Sequence, residues 1–360
     1  MRVVVAMSGG VDSSVVAGLL HEAGHEVIGV TLQLYDHGVA VDRKGACCAG
    51  QDIHDAKRVA DRLGIAHYVI DAEARFADSV IAPFADSYAE GETPVPCIAC
   101  NQTVKFGDLS ALAVGLGADR LATGHYVRRL DCPDGVQLHR ATDSSRDQSW
   151  FLYAITRQQL GLCLFPLGEV QDKRAVRAIA DRLGLAVADK PDSQDICFVP
   201  AGRYTDVVAR YRPDALEPGA IVTADGETVG AHDGIARYTV GQGKRLGVAA
   251  QIAGKRQVVL GADPARRRII VGPRGSGTRT VPLRAVNWLI PQPEALIRCT
   301  VKLRAREEPR PATVEGTTVT LDDPALPAPG QACVFYAGSR VLGGGVIARL
   351  CPHATLTYRA

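Results

Sequence analysis

The stretch Ser-Gly-Gly-Val-Asp-Ser-Ser at residues 8–14 constrains the fold more than any other part of the chain. It lies between an apolar run at residues 3–6 and a helical pattern at residues 15–20. A strand, a glycine-rich turn and a helix N-terminus form an anion site, because free backbone N–H groups and the helix dipole favour negative charge. The alternative is a capped turn without a ligand, which the paired glycines between hydroxyls disfavour. The stretch therefore predicts a phosphate-binding loop.

The loop lacks the lysine that an ordinary Walker P-loop carries. Its absence argues against the usual kinase and GTPase chemistry, in which the terminal phosphoryl group is cleaved. Asp12 would repel a bare phosphate, so we expect it either beside a divalent metal such as Mg²⁺ or as a helix cap. The loop therefore points away from these two classes of enzyme.

Short apolar runs alternate with helical patterns along the first 200 residues. The runs predict strands at residues 3–6, 27–32, 65–71 and 119–126, and the helical patterns predict helices at 52–63 and 104–116. This order predicts an α/β domain with a parallel sheet and helices on both faces. After about residue 205, frequent Gly and Pro and short β-rich runs predict small all-β modules. We expect an α/β domain that carries the phosphate-binding loop, a small central β-rich domain and a C-terminal β-barrel, at residues 1–205, 206–275 and 276–360.

Charge is divided unevenly along the chain, although the net charge is only +2. Residues 1–200 carry 19 basic against 26 acidic side chains, whereas residues 201–360 carry 22 against 13. The basic second half suggests a polyanion partner, with uneven surface solvation as the alternative. No run is long and apolar enough to span a membrane, and no signal peptide is visible before the first strand. These features favour a cytosolic protein without a membrane partner.

Three cysteines stand in patterns that suggest chemistry. Cys97 and Cys100 are three apart in TPVPCIACN, and Cys197 lies in DSQDICF. A thiolate is a strong nucleophile that can carry a persulfide, and two thiols brought together by the fold can pass sulfur and close as a disulfide. Other readings stay open: a structural zinc site that includes Cys47 and Cys48, an iron–sulfur cluster on the three cysteines, or a CxxC oxidoreductase, which the proline-rich context disfavours.

The chain resembles the tRNA-specific 2-thiouridylase family along nearly its full length. The resemblance rests on ordered motifs, among them AMSGGVDSS, TPVPCIACN, LATGHYVRR, RDQSWFLY, KPDSQDICF, YTVGQGKRLGV and PGQACVFY. The first motif is similar to the PP-loop of ATP pyrophosphatases, which transfer AMP to an oxygen and release pyrophosphate. The resemblance implies ATP-dependent 2-thiolation of a tRNA wobble uridine, with sulfur from a persulfide relay that begins at a cysteine desulfurase.

The resemblance also implies which residues carry the reaction. Cys100 would be the nucleophile and Cys197 the persulfide carrier, and the two would close a disulfide after the transfer. The ATP site would consist of Ala6, Met7, Ser8, Gly9, Gly10, Val11, Asp12, Ser13, Leu32 and Gly124. Contacts to tRNA or its target base would come from Val95, Pro96, Cys97, His125, Arg146, Asp147, Gln148, Arg304, Ala305 and Gln331. The enzyme would use ATP, with Mg²⁺ near Asp12, and would act as a monomer.

Two departures from the family pattern keep other hypotheses in view. Cys97 stands where many members have Asp, which revives an iron–sulfur cluster on Cys97, Cys100 and Cys197. Arg146 stands where Lys is frequent, which keeps the charge and changes its geometry. His125 has a second reading as a satisfied core histidine. The remaining hypotheses are a different PP-loop tRNA-modifying enzyme and an RNA-binding protein with a structural zinc and no turnover, which the PP-loop disfavours.

Overall fold

A computed structural model describes residues 1–35, 48–192, 196–199 and 202–349, without the side chains of residues 48 and 49. The chain divides into two compact units. The first comprises Met1–Val80, Cys97–Ala201 and Ser339–Leu342, and the second comprises Ile81–Pro96, Gly202–Gly338 and Gly343–Ala360. Cys47 and the side chain of Cys48, considered above as zinc ligands, lie outside the described residues. Within the described ranges, no helix combines the length and apolar character needed to cross a membrane.

The first unit is built on a parallel sheet of five strands in the order β3-β2-β1-β4-β7. The strands are β1 Arg2–Ala6, β2 Glu26–Gln33, β3 Ala66–Asp71, β4 Arg120–Ala122 and β7 Cys163–Leu164. Val3, Val4 and Val5 of the central strand are fully shielded from solvent, because both faces of a parallel sheet are covered. The sheet confirms the predicted α/β architecture, although β4 is shorter than the predicted strand at 119–126.

Helices connect and cover these strands. The α-helices are α1 Val11–Glu22, α2 Cys48–Leu63, α3 Glu73–Phe76, α4 Ala82–Ala89, α5 Pro96–Cys100, α6 Leu109–Gly115, α7 Ser149–Leu152, α8 Arg157–Leu162, α9 Lys173–Arg182 and α10 Tyr204–Tyr211. Single-turn 3-10 helices cover Pro213–Leu216, Ile235–Arg237, Gly247–Ala250 and Pro264–Arg266. Val15 and Val16 of α1, Val59 of α2 and Val176 of α9 share one apolar core with β1. The predicted helix at 52–63 is confirmed, and it begins earlier, at Cys48.

The predicted helix at 104–116 is wrong in type over its first half. Asn101–Asp108 forms a π-helix, as does Ala77–Ile81, and only Leu109–Gly115 is α-helical. The Leu109 N–H donates to the Val104 carbonyl five residues earlier, which is the π-helical pattern. The Thr103 hydroxyl donates to the Ala99 carbonyl at 2.8 Å, a bond that competes with the regular α-helical ladder.

An antiparallel hairpin, which the sequence patterns did not predict, also belongs to the first unit. It consists of β5 Val127–Cys132 and β6 Gly135–Arg140, and His139 of β6 pairs with Arg340. An added Cβ at Gly168 would lie 2.0 Å from the Val127 carbonyl oxygen. Glycine at that position therefore lets the chain before α9 pass directly against the start of the hairpin.

The second unit is β-rich. A five-stranded sheet has the order β10-β11-β12-β8-β9, and a six-stranded barrel runs β13-β16-β15-β14-β17-β18 and closes by pairing β13 with β18. The strands are β8 Gly219–Thr223, β9 Thr228–His232, β10 Gln251–Ile252, β11 Lys255–Asp263, β12 Arg268–Pro273, β13 Thr278–Trp288, β14 Ile297–Lys302, β15 Arg310–Glu315, β16 Thr318–Ala325, β17 Ala332–Ala337 and β18 Arg340–Ile347. Ile221, Val259 and Ile269 lie in the core of the smaller sheet. These two β modules confirm the predicted central domain and C-terminal barrel as architectures.

Candidate active site

Gly9 shapes the loop after β1. Its φ is +71°, and an added Cβ would lie 2.1 Å from the backbone carbonyl oxygen of Asp52, so only glycine fits. Gly10 then begins α1 as an extended N-cap, and glycine has no side chain that could accept the first N–H groups of the helix. The first N–H groups of α1 are therefore available, together with the positive end of the helix dipole, to an anionic group.

Serine hydroxyls hold the loop in this shape. Ser13 Oγ accepts the Ser8 N–H at 3.1 Å, lies 3.3 Å from Ser8 Oγ, and is 3.2 Å from the Gly10 carbonyl, to which it donates. Ser14 Oγ donates to the same carbonyl at 2.8 Å. The loop is consequently pre-formed by its own hydrogen bonds. Of the other predicted ATP residues, Ala6 ends the central strand and Met7 follows it. Val11 is buried at the start of α1, and Leu32 is half-buried near the end of β2.

Asp12 lies in a network of charges beside the loop. Both of its carboxylate oxygens accept from Lys173 Nζ, at 2.7 and 2.8 Å, and Oδ1 also accepts from the Tyr126 hydroxyl at 2.6 Å. Lys173 Nζ is also 2.7 Å from Asp192 Oδ1, whose other oxygen accepts from Arg146 at 2.5 Å. Burial raises the pKa of Asp192, but the hydrogen bonds from Lys173 and Arg146 outweigh this effect and hold the pKa below its usual value. Burial first, and then the bond to Asp12, raises the pKa of Tyr126.

A second lysine reaches the other side of the loop. Lys190 Nζ donates to the Gly9 carbonyl at 3.0 Å and to carboxylate oxygens of Asp52 and Asp55, each at 2.6 Å. The sequence reasoning missed both Lys173 and Lys190 as site residues. Lys173 lies 161 residues after Asp12, and Lys190 lies 181 residues after Gly9. The motifs FPLGEV…KRAVRAIADRLGL and KPDSQDICF that contain them were the only signal. Each ammonium also pairs with two carboxylates, so the charge that the lysines bring to the loop is shared with these acids.

Gly124 joins the loop to the next part of the site. An added Cβ at Gly124 would lie 2.9 Å from the Ser13 backbone nitrogen and 3.1 Å from Asp12 Cβ, so the chain after β4 passes directly over the start of α1. His125 follows, and its Nδ1 lies 2.8 Å from the Thr123 hydroxyl. Its ring packs 5.7 Å from Phe106 of the second π-helix, measured between ring centroids.

The three candidate cysteines are free thiols in one electrostatic neighbourhood. Cys97 and Cys197 are exposed to solvent, whereas Cys100 is buried. Burial raises the pKa of the Cys100 thiol. The charge of Lys105 lowers this pKa, and the neighbouring Cys97 raises it further. Desolvation, followed by Cys100 and Cys97, raises the pKa of Cys197 to about 12. The structure therefore brings these sulfurs within mutual influence, without a disulfide between them.

A chain of contacts connects the Cys197 segment to the π-helix Asn101–Asp108. The Phe198 ring lies 5.8 Å from the Phe76 ring at the end of α3, in an edge-on arrangement. The π-helix Ala77–Ile81 follows α3 and carries Ser79, whose Oγ lies 3.5 Å from Thr103 Oγ1. Thr103 lies in the π-helix that directly follows Cys100. The segment with the second thiol is thereby anchored to the element that carries the first.

The side chains of Arg146, Asp147 and Gln148 form hydrogen bonds with other residues of the first unit. Asp147 is a buried acceptor for Arg140 and for the backbone and hydroxyl of Ser149. Gln148 exchanges two hydrogen bonds with the Tyr126 backbone, at 2.9 and 3.0 Å. Burial first, and then Lys105, lowers the pKa of His125 to about 3, so this residue is uncharged at neutral pH. These bonds give each residue a structural role and leave its predicted contact with tRNA as a prediction.

The second unit holds the other predicted contacts. Val95 and Ala305 are half-buried, Pro96 is buried, and Gln331 donates to the Thr93 carbonyl at 2.8 Å. Arg304 lines a cavity of about 380 Å³ together with Arg274 and Arg310, and it donates to the Val240 carbonyl at 3.2 Å. Several basic side chains thus meet at one concave surface of this unit, which suits a phosphate backbone.

Neither predicted metal site is formed by the described residues. Both oxygens of Asp12 are held by Lys173, so in this arrangement the carboxylate is engaged in an ion pair rather than set apart as a metal ligand. Across the described ranges, no three His, Cys, Asp or Glu side chains form a group that could hold a metal ion. Cys97, Cys100 and Cys197 therefore do not fit an iron–sulfur cluster as they are arranged here.

A central strand that ends at a glycine-rich anion loop, with a helix N-terminus behind it, defines a nucleotide-binding α/β domain. Three family models match the chain in the same order as its architecture. Residues 1–201 match the tRNA methyl transferase HUP domain, residues 205–273 the tRNA methyl transferase PRC-barrel domain, and residues 278–347 the aminomethyltransferase beta-barrel domain.

Curated relatives give a narrower answer. A tRNA-specific 2-thiouridylase, MnmA, of Acidiphilium cryptum is 68% identical over 349 residues, which cover 96% of this chain and 100% of that relative. A protein of the same name from Gluconobacter oxydans is 59% identical, covering 96% of this chain and 99% of the relative. Another from Rhodospirillum centenum is 57% identical, covering 97% and 92%. The chain belongs to the tRNA-specific 2-thiouridylase family.

Proposed function

We propose that this chain catalyses the ATP-dependent conversion of a tRNA wobble uridine to 2-thiouridine. The name of its relatives supports both the substrate and the reaction. The observation that carries the proposal is a continuous path of contacts from the phosphate loop to a thiol. Gly124 packs on Ser13, its neighbour His125 packs on Phe106, and Phe106 lies in the π-helix that directly follows Cys100.

The first step activates the base. The uridine O2 attacks the α-phosphorus of ATP, an O–P bond forms, and pyrophosphate leaves. Negative charge grows on the phosphate oxygens, where the open N–H groups of α1 can stabilise it. The ammonium groups of Lys173 and Lys190 lie at the same loop and add to this stabilisation. Adenylation converts O2 into a leaving group, which an unmodified carbonyl oxygen is not.

The second step replaces oxygen by sulfur. The outer sulfur of a Cys197 persulfide attacks C2 of the adenylated base, and AMP leaves with the former O2. The Cys100 thiolate then attacks Cys197 Sγ, which breaks the S–S bond and leaves the outer sulfur on the base. A Cys100–Cys197 disulfide forms, and an external dithiol reduces it to the two free thiols present in this structure. A persulfide donor charged by a cysteine desulfurase supplies the outer sulfur.

The tRNA contacts belong to this proposal. We infer that Val95, Pro96 and Cys97 face the target base, and that the surface around Arg304 holds the tRNA backbone. The positive excess of residues 201–360 supports a backbone contact in the second unit. Replacing Arg304 by Gln should weaken tRNA binding and reduce its dependence on salt, measured by filter binding at several salt concentrations. Equal salt slopes for both proteins would contradict this contact.

The experiment that tests the function uses the full chain, unmodified tRNA transcripts, ATP and a persulfide donor. Mass spectrometry of the digested tRNA should detect 2-thiouridine, and a coupled assay should detect pyrophosphate. Cys100→Ala and Cys197→Ala should abolish 2-thiouridine. Cys132→Ala is the matched control, because Cys132 is a half-exposed free thiol on the hairpin. Unchanged 2-thiouridine in either site variant would overturn the assigned sulfur chemistry.

The same protein and tRNA samples also test two alternatives, an iron–sulfur cluster and a methyl transfer reaction. Cys97 supplies a third thiol, so anaerobic purification and an iron assay test the cluster hypothesis directly. The family models carry the words methyl transferase, and mass analysis of the same tRNA would reveal a methylated base if that were the reaction. Action as a monomer in the cytosol remains a prediction, which light scattering and cell fractionation would check.

A further inference from the structure

Lys105 is set against Cys100 by the π-helix. Cys100 is the residue directly before Asn101–Asp108, and it has helical backbone angles. Backbone bonds in a π-helix join residues five apart, so residues 100 and 105 stand about one turn apart on the same side. In an α-helix, five residues advance the chain about 140° past a full turn, which would direct the two side chains apart. The irregular turn therefore creates the pairing.

Lys105 is a half-buried cation that forms no hydrogen bond or ion pair with the part of the chain that the structure describes. This differs from Lys173 and Lys190, each of which holds two carboxylates. The Lys105 ammonium is therefore available to an anion that the site itself, or its substrate, supplies.

The charge of Lys105 acts on Cys100, Cys197 and His125. Both cysteines have raised pKa values and are thiols at neutral pH, whereas only a thiolate attacks sulfur. His125 is neutral and cannot serve as the cation. Among the described residues, Lys105 is the positive group that favours the thiolate at each of these cysteines, while Cys97 opposes it at both.

We propose that Lys105 is a positioning residue whose ammonium stabilises the Cys100 thiolate for sulfur transfer, the thiol proton passing to solvent. This role rests on the proposed function, in which Cys100 attacks the persulfide carrier. Lys105 does not touch the reacting sulfur of the donor. It acts through Cys100, and Arg at this position would keep the charge.

The test measures the ionisation of Cys100 without tRNA. The full chain, in a Cys97→Ser background that leaves one thiol in α5, is alkylated with iodoacetamide from pH 6 to pH 11. The thiolate displaces iodide, and site-resolved mass spectrometry follows the modified Cys100. Lys105→Gln should raise the pH of half-maximal rate and slow alkylation at pH 7.5 about tenfold relative to the high-pH plateau, because thiolate nucleophiles follow their ionised fraction. Lys105→Arg should restore the profile to within about twofold.

The pH midpoint decides the outcome, because altered access to a buried thiol changes the plateau rate and leaves the midpoint in place. Lys57→Gln is the matched control, since Lys57 is an exposed lysine of the same unit, and it should leave the profile unchanged. Lys105→Met, which keeps the apolar stem, gives a second reading if Lys105→Gln does not fold. An unchanged midpoint in the folded neutral variant overturns the role of Lys105. A shifted midpoint in a protein that makes no 2-thiouridine supports the role and overturns the proposed function instead.

Discussion

Gly124→Ala is the sharpest test of where the phosphates bind. The added Cβ would lie 2.9 Å from the Ser13 backbone nitrogen and 3.1 Å from Asp12 Cβ. Both distances are shorter than the optimal van der Waals separation of roughly 3.5–4.0 Å, and the nearest atom belongs to a helix backbone. Overpacking of this kind costs roughly 1–3 kcal/mol. Because the strain falls on the N–H groups proposed to bind phosphate, we expect ATP to bind about tenfold to a hundredfold more weakly.

The assay is isothermal titration of ATP into the full chain, with thermal melting to show that each variant is folded. Gly161→Ala is the control, because an added Cβ there meets none of the described residues within 4 Å. Gly161 lies inside α8, so its replacement should keep ATP affinity and add roughly 0.5–1 kcal/mol of stability. A folded Gly124→Ala protein with unchanged ATP affinity would refute the placement of the phosphates at the start of α1.

Three further predictions concern the same site. Gly9→Ala should lower the free energy of unfolding by about 2 kcal/mol or more in urea melts, because its Cβ would lie 2.1 Å from the Asp52 carbonyl oxygen. Gly50→Ala is the control, and it should not lower this free energy, because its Cβ meets none of the described residues. Lys173→Met should destabilise by about 2–4 kcal/mol, since it leaves Asp12 without its ammonium partner, and Lys173→Arg should recover part of the loss. The pKa of His125 is lowered to about 3, so its contribution is complete above the unfolded value near 6.5 and is lost as the pH falls towards 3; His125→Phe should flatten this acid loss, on the order of 2 kcal/mol, in melts between pH 7 and pH 4.

The fold could be predicted where the local pattern and the tertiary structure agree. The apolar run before the loop is the central strand, and the stripe at Val15 and Val16 faces the core as expected. The hairpin Val127–Arg140 was missed, because its strands carry charged residues and lack a clean alternation of apolar and polar positions. Strand β4 ends at Ala122 since Gly124 must leave the sheet to pass over α1. Tertiary contacts of this kind override periodicity.

The site could be predicted in part. The loop and its glycines follow from their own chemistry, and the structure gives Gly9 a positive φ, which favours glycine. Lys173 and Lys190 could not be found by spacing, because the fold alone decides which distant cations reach a loop. Asp12 illustrates the same limit, since a carboxylate read as a metal ligand is held by Lys173 and Tyr126. A residue type restricts the chemistry, and its partners select among the possibilities.

The π-helix shows why the thiol environment was beyond sequence reasoning. Residues 104–116 have a helical pattern, and an α-helix would direct Cys100 and Lys105 to different sides. Thr103 binds the Ala99 carbonyl, the ladder shifts by one residue, and the register between thiol and ammonium changes with it. The hydroxyl bond offers a local reason for the π-turn. Thr103→Val, which removes the competing bond while keeping the shape, should then favour the α-helical ladder and raise the pH midpoint of Cys100 alkylation as Lys105→Gln does. An unchanged midpoint in that variant would show that the π-turn persists without the hydroxyl bond.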